Sequence, residues 1–222
     1  MVAVFGTLGY RPKSLIPTIT STPDVDKVVF YCGADKSDPL ALKKVAEAKR
    51  QVIDYCNSLR INVDAVDLED PFDLKSIAMR IRSDVRKHIR DGRQIGIFNI
   101  AGGTRPTSSA ALLVCILEGI PTVYIHDVTY EEIKLPMLRM EYSQILSTEE
   151  RAILRALLSN RAKELSEVDL ARIVDKHKAT VNHHIRNLIR KGAVRLEANP
   201  KDARKKVVRL EESTELLLGE DL

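Results

Sequence analysis

Between Ile95 and Val114 the chain reads IGIFNIAGGTRPTSSAALLV: an apolar run, the pair Gly102-Gly103, then Thr104, Arg105, Thr107, Ser108 and Ser109 at the start of a helix-like stretch. These residue types in this order suit a phosphate-bearing ligand. Two glycines let the backbone approach a ligand closely. A helix start presents unpaired N–H groups and about half a positive charge, which stabilises an anion. Arg105 adds a permanent, forked cation, and Pro106 fits the first helical position. The same two glycines would equally serve a plain strand-to-helix turn. A second segment, Gly6-Thr7-Leu8-Gly9-Tyr10-Arg11, has a similar make-up, with glycines, a threonine and an arginine following an apolar run.

Several familiar chemistries lack their residues. GTLGY does not have the GxGxxG spacing of a dinucleotide loop, and the sequence contains no GxxxxGK[ST], HExxH or GxSxG. His183 and His184 are adjacent, so on a helix they point to different faces, and no Cys or acidic residue is spaced to join them. No metal, cofactor or catalytic residue is expected.

The elements that must position the glycine loops are legible as periodicity. Val2 to Phe5, Lys27 to Cys32, Asn62 to Asp67, Ile95 to Phe98 and Thr122 to His126 read as strands. Leu40 to Leu59 and Leu74 to Ile89 carry apolar residues at helical spacing. This alternation predicts an α/β fold with a Rossmann-like, doubly wound, mostly parallel sheet. In such sheets ligands bind beyond the carboxyl ends of the strands where strand order reverses; an order of 3-2-1-4-5 would put both glycine loops there.

The remainder has a different character. Residues 1–126 form the expected ligand-sensing domain, 127–142 a connector that can hold a short helix, and 143–222 a second domain. Ser147-Thr148-Glu149-Glu150 opens a helix. Ser166 with Asp169 caps a second, in which Val168, Leu170, Ala171 and Val174 can pack inward. After a turn at Asp175 to Lys178, the helix Ala179 to Lys191 places Val181, Ile185, Leu188 and Ile189 on one face and Thr180, Asn182, His183, Arg186 and Asn187 on the other. Gly192 stops it. Ala193 to Glu197 and Lys205 to Leu210 read as a hairpin around a polar tip, Asn199 to Lys206.

This pattern resembles a winged helix-turn-helix. Charge supports a nucleic-acid footprint: the chain is +4 overall, yet Arg172 to Arg209 alone holds 12 basic and 3 acidic residues. The expected DNA contacts are Lys178, Thr180, Asn182, His183 and Arg186 on the second helix, and Lys201, Arg204, Lys205 and Lys206 on the wing, which meet bases and phosphates respectively. A scaffold helix with a solvated basic face is the alternative. The three cysteines, Cys32, Cys56 and Cys115, sit in apolar patterns and read as reduced core residues. With no signal-like N-terminus and no membrane-length apolar run, the expected compartment is the cytoplasm, with no membrane partner.

Thr7-Leu8-Gly9-Tyr10, Asn99-Ile100-Ala101-Gly102-Gly103-Thr104-Arg105 and the C-terminal winged helix together resemble the CRISPR-associated Rossmann-fold (CARF) regulators of the archaeal winged-helix type. The resemblance implies a homodimer that binds a regulatory cyclic oligoadenylate, in particular cyclic tetra-adenylate, across its two-fold axis. It implies that Thr7, Leu8, Gly9, Tyr10, Asn99, Gly102, Gly103, Thr104 and Arg105 line that site, and that the protein controls CRISPR-Cas genes from a palindromic double-stranded promoter. Arg105 departs from the lysine of many relatives. The alternative function is that of a ring nuclease cleaving the same ligand in the same pocket.

Overall fold

The computed structural model describes residues 2–136, 146–200, 202–211 and 214. The chain divides into two compact units, Met1–Glu141 and Tyr142–Leu222.

The first unit runs β1 (Val2–Leu8), α1 (Ile16–Ser21), β2 (Val25–Cys32), α2 (Pro39–Ser58), β3 (Asn62–Asp67), α3 (Leu74–Arg90), β4 (Gln94–Asn99), α4 (Arg105–Glu118), β5 (Thr122–Ile125) and β6 (Glu132–Lys134), with a single 3-10 turn at Pro12–Ser14. Its six-stranded sheet has the order β3-β2-β1-β4-β5-β6. The first five strands are parallel and β6 closes the edge antiparallel to β5. Residues 127–142, expected as a connector, thus contribute an edge strand at 132–134; residues 137–142 fall outside the described residues.

Alternation along the strands sorts the core onto two faces. Val4, Leu8, Val28, Phe30 and Cys32 pack with Leu15 and Ile19 against Ala41, Val45, Ala48, Val52 and Cys56 of α2. The intervening residues Phe5, Tyr31 and Phe98 turn to the other face, where the Tyr31 and Phe98 rings stack at 6.4 Å. Helix α3 packs along α4. The helices start where the sequence provides caps: Asp38 accepts from the amides of Leu40 and Ala41, and Asp73 from that of Ser76. All three cysteines are free and buried, and burial pushes the Cys32 and Cys115 thiols up to about 12 and that of Cys56 to about 11. Among the described residues no helix is long and apolar enough to cross a membrane.

The second unit runs α5 (Thr148–Ser159), α6 (Glu167–Ile173), α7 (Lys178–Arg190), β7 (Val194–Asn199) and β8 (Asp202–Leu210). Capping boxes form at Ser147 with Glu150 and at Ser166 with Asp169. Ile153, Leu154, Leu157, Leu170, Val181, Ile185 and Leu188 share one core with Val194 and Val208 of the hairpin. Two expected core residues face outward instead, Val168 and Ile189. Each lies at the margin of its helix's apolar stripe, where a one-position rotation moves a side chain from core to solvent.

Candidate ligand site and nucleic-acid interface

The strand order reverses between β1 and β4, and the turns following these two strands meet. A Cβ on Gly102 would lie 2.4 Å from the Thr7 carbonyl oxygen and 2.8 Å from both Gly9 N and Leu8 Cα, while one on Gly9 would lie 2.9 Å from Gly103 N. All of these neighbours are backbone, so no side chain can be accommodated at Gly102. Gly103 adopts a positive φ of 82° and delivers the chain to the N-terminus of α4. The helix begins at Arg105, one residue before Pro106, which is therefore its second residue. Arg105 is exposed, and no described residue pairs with its guanidinium. Gly103 and Tyr10 also reach the surface.

Other expected ligand residues have different work. Leu8 is fully buried in the core against α2 and offers a ligand only its backbone, because β1 continues three residues further than its apolar run suggested. Thr7 is likewise within β1 and fully buried, and its hydroxyl has no hydrogen-bond partner among the described residues. Asn99 is buried and internally engaged: Nδ2 donates to the Ser14 carbonyl at 2.8 Å and to Thr18 Oγ1 at 2.7 Å, and Oδ1 accepts from the Ala101 amide at 2.8 Å. It braces the β4–α4 turn against the segment following β1. Thr104 is the N-cap of α4, accepting from the Thr107 amide. The hydroxyls of Thr104 and Thr107 both donate to the Pro71 carbonyl, and that of Ser108 donates to the Gly102 carbonyl at 2.8 Å. The hydroxyls of Thr104, Thr107 and Ser108 therefore shape the turn, and the side chains left exposed beside it are those of Arg105 and Ser109.

In the second unit, α6 and α7 are joined by a turn in which Asp175 takes a left-handed conformation, φ 49°, and His177 caps α7 by accepting from the Ala179 amide through Nδ1. Lys178, Thr180, His183 and Arg186 are exposed along α7, as expected. Asn182 lies between Lys178 and Arg186 at i, i+4 spacing but is half-buried, and its Oδ1 is buried with no partner among the described residues. Arg190, overlooked in the sequence, joins them; its guanidinium donates to Asn187 Oδ1 at 2.6 Å, and Asn187 Nδ2 lies 3.3 Å from His183 Nε2. The i, i+3, i+4 spacing of 183, 186, 187 and 190 was the available signal.

The hairpin is longer than expected. Its register runs from Val194 opposite Leu210 to Asn199 opposite Asp202, leaving two residues between the strands. Arg204, Lys205 and Lys206 consequently lie in β8 and not in the tip; Lys206 is exposed, and Lys201 lies outside the described residues.

Ion pairing sorts the basic residues. Lys191 is bound to Glu150 at 2.6 Å, Arg195 to Glu197 and Glu211 at 2.7 and 2.9 Å, and Arg209 to Glu164 and Glu197 at 3.5 Å each. Glu150 is buried; burial pushes its carboxyl up, but Lys191 and the Ser147 amide outweigh this and hold it below the usual glutamate range. Arg172, Lys176, Lys178 and Arg186 are exposed and carry no ion pair among the described residues. The surplus charge is thus concentrated on α6, the turn and α7.

A doubly wound domain followed in the chain by a winged helix-turn-helix defines a two-domain helix-turn-helix protein. Residues 40–138 match a family described as CRISPR-associated protein (Cas_APE2256), and residues 150–197 match one described as a helix-turn-helix domain. The two matches thus fall in separate parts of the chain, one in each unit. The first match includes the β4–α4 turn and begins after the β1 turn. No curated protein matches the chain.

Among solved structures, similarity is found to MepR, a transcription regulator of the Staphylococcus aureus multidrug efflux pump MepA (25% identity, 32% of this chain and 53% of that chain, TM-score 0.30). It is also found to an S. aureus MepR–DNA complex (24% identity, 34% and 54%, TM-score 0.32). The chain spans little more than half the length of these structures.

Proposed function

We propose that this protein is a ligand-responsive, DNA-binding transcription regulator of CRISPR-Cas genes that senses a cyclic oligoadenylate, specifically cyclic tetra-adenylate, across a homodimer. The observation that carries the reading is the meeting of Gly9 with Gly102 and Gly103 at the strand-order reversal, beside an unpaired Arg105 at a helix N-terminus. Such a turn offers backbone donors, a helix dipole and a cation to one phosphate. Two copies related by a two-fold axis offer the same set twice, which suits a symmetric ring.

The unpaired cations Arg172, Lys176, Lys178 and Arg186 supply the DNA side: α7 enters the major groove and β8 brings Lys206 toward phosphate. Control requires that the ligand bind the DNA-competent and incompetent states with different affinity, since equal affinity shifts nothing. The test is a mobility-shift assay on the CRISPR promoters of the source genome with and without cyclic tetra-adenylate. Retarded DNA whose midpoint moves on adding ligand is expected; absence of both binding and ligand effect overturns the proposal. Cleavage of the ring in the same pocket is not favoured, because the Thr7 hydroxyl that would position a phosphate is buried inside the sheet.

A further inference from the structure

Beside the anion site lies an exposed aromatic residue that the ligand reading does not use. Phe72 follows Pro71 in the loop between β3 and α3, and it is 53% exposed although Pro71 itself is buried. That loop is fastened to the anion site, because the Thr104 and Thr107 hydroxyls both donate to the Pro71 carbonyl. Phe72 is therefore one residue beyond a hydrogen bond to the cap that precedes Arg105. Tyr10, too, is 54% exposed and one residue beyond Gly9, which packs on Gly103; Lys44 Nζ sits 5.7 Å from its ring centre. Two exposed rings are thus each one residue in the chain from a residue that touches one phosphate-ready turn.

Phe72 also lines a surface cleft with Ala34, Asp35, Lys36, Asp70 and Ser76. The loop can overlie β2 there because Gly33 has no side chain; a Cβ on it would come within 3.0 Å of Pro71 Cβ. The Phe72 amide donates to Asp70 Oδ1 at 2.8 Å and Ser37 donates to Asp35 Oδ1, so that neither carboxylate's second oxygen has a hydrogen bond among the described residues. An isolated exposed Phe needs no explanation. One fixed to a phosphate-ready turn and facing hydrogen-bond acceptors has the features of a nucleobase seat: a π face to stack on and groups to accept from an exocyclic amine.

We propose that Phe72 is the stacking platform for an amine-bearing purine of the ligand whose phosphate occupies the Gly102–Arg105 turn, with the cleft between 34–36 and 70–76 receiving the edge of the base. This rests on the nucleotide reading above and adds a specificity-determining residue to it.

Cyclic tetra-adenylate and base-free ribose 5-phosphate are titrated against wild type, Phe72→Ala, Phe72→Trp and Arg105→Ala, with amide chemical shifts reading millimolar binding of the second probe. Phe72→Ala is expected to weaken cyclic tetra-adenylate binding about tenfold and to leave ribose 5-phosphate unchanged. Phe72→Trp restores the first, and Arg105→Ala weakens both. Wild-type affinity of Phe72→Ala for cyclic tetra-adenylate, or an equal loss for both probes, overturns the stacking role while leaving the sensing proposal intact. Wild type that does not bind cyclic tetra-adenylate at all overturns both.

Discussion

The two units use their polar residues in opposite ways. In the α/β unit, the polar side chains at the candidate site are mostly consumed in building it: Asn99, Thr104, Thr107 and Ser108 are committed to backbone partners, and what is exposed is two aromatic rings and Arg105. In the winged unit, the polar side chains of α7 stand on the surface above an apolar core and are themselves the groups that the proposed DNA interface uses. The difference teaches that a ligand turn is precise and intolerant, whereas a groove-reading helix is modular, with each exposed residue replaceable at the cost of its own contact.

Substitutions can break or sharpen this contrast. The largest effect is expected from Gly102→Ala, whose Cβ meets only backbone atoms; overpacking there costs about 3 kcal/mol, read as earlier melting, with DNA affinity of the winged unit retained. Arg105→Ala is expected to lose about 2 kcal/mol of ligand affinity, the worth of a charged hydrogen bond, with unchanged melting and unchanged DNA binding in the absence of ligand. In the winged unit, Arg186→Ala should cost about 1 to 2 kcal/mol and change sequence preference, while Lys206→Ala should weaken all sequences alike and lower the salt slope by roughly 1. Equal losses across all sequences for Arg186→Ala would place it on phosphate.

A smaller effect concerns the Glu150 to Lys191 pair, which ties the start of α5 to the end of α7. The Glu150 carboxyl is held below its ordinary range in the folded state. Its contribution to stability is therefore present in full above the ordinary glutamate range and lost as pH falls through the lowered value. Glu150→Gln is expected to cost about 1 kcal/mol near neutral pH, and to flatten the acid limb of a melting-temperature profile. A variant whose acid limb matches wild type assigns that sensitivity to other carboxylates.

Much of the fold was legible because it is local. Apolar runs placed the five parallel strands to within a few residues, and Ser147 and Ser166 with their acidic partners at the third helical position marked two helix starts. Helix α1 and strand β6 went unread. The first is six residues long and contains a proline, and the second is three residues in a mixed polar and apolar stretch, paired among the described residues with β5 alone. Among the site residues, Gly102, Gly103 and Arg105 stood out by type, whereas the internal commitment of Asn99 depends on Ser14 and Thr18, more than 80 residues away in sequence. Phe72 carried no local signal at all, since its position follows from hydrogen bonds to its neighbour from another loop.

By itself the sequence determined the periodicities, the caps, the glycines and the excess of positive charge, because each depends on residues within one or two turns of chain. Only the tertiary structure decided that β1 and β4 are neighbours, that Gly102 touches the backbone of Thr7 and Gly9, and which arginines and lysines are neutralised by carboxylates. These are contacts between segments remote in sequence, and their geometry is set by how the sheet and the helical core close around their apolar faces.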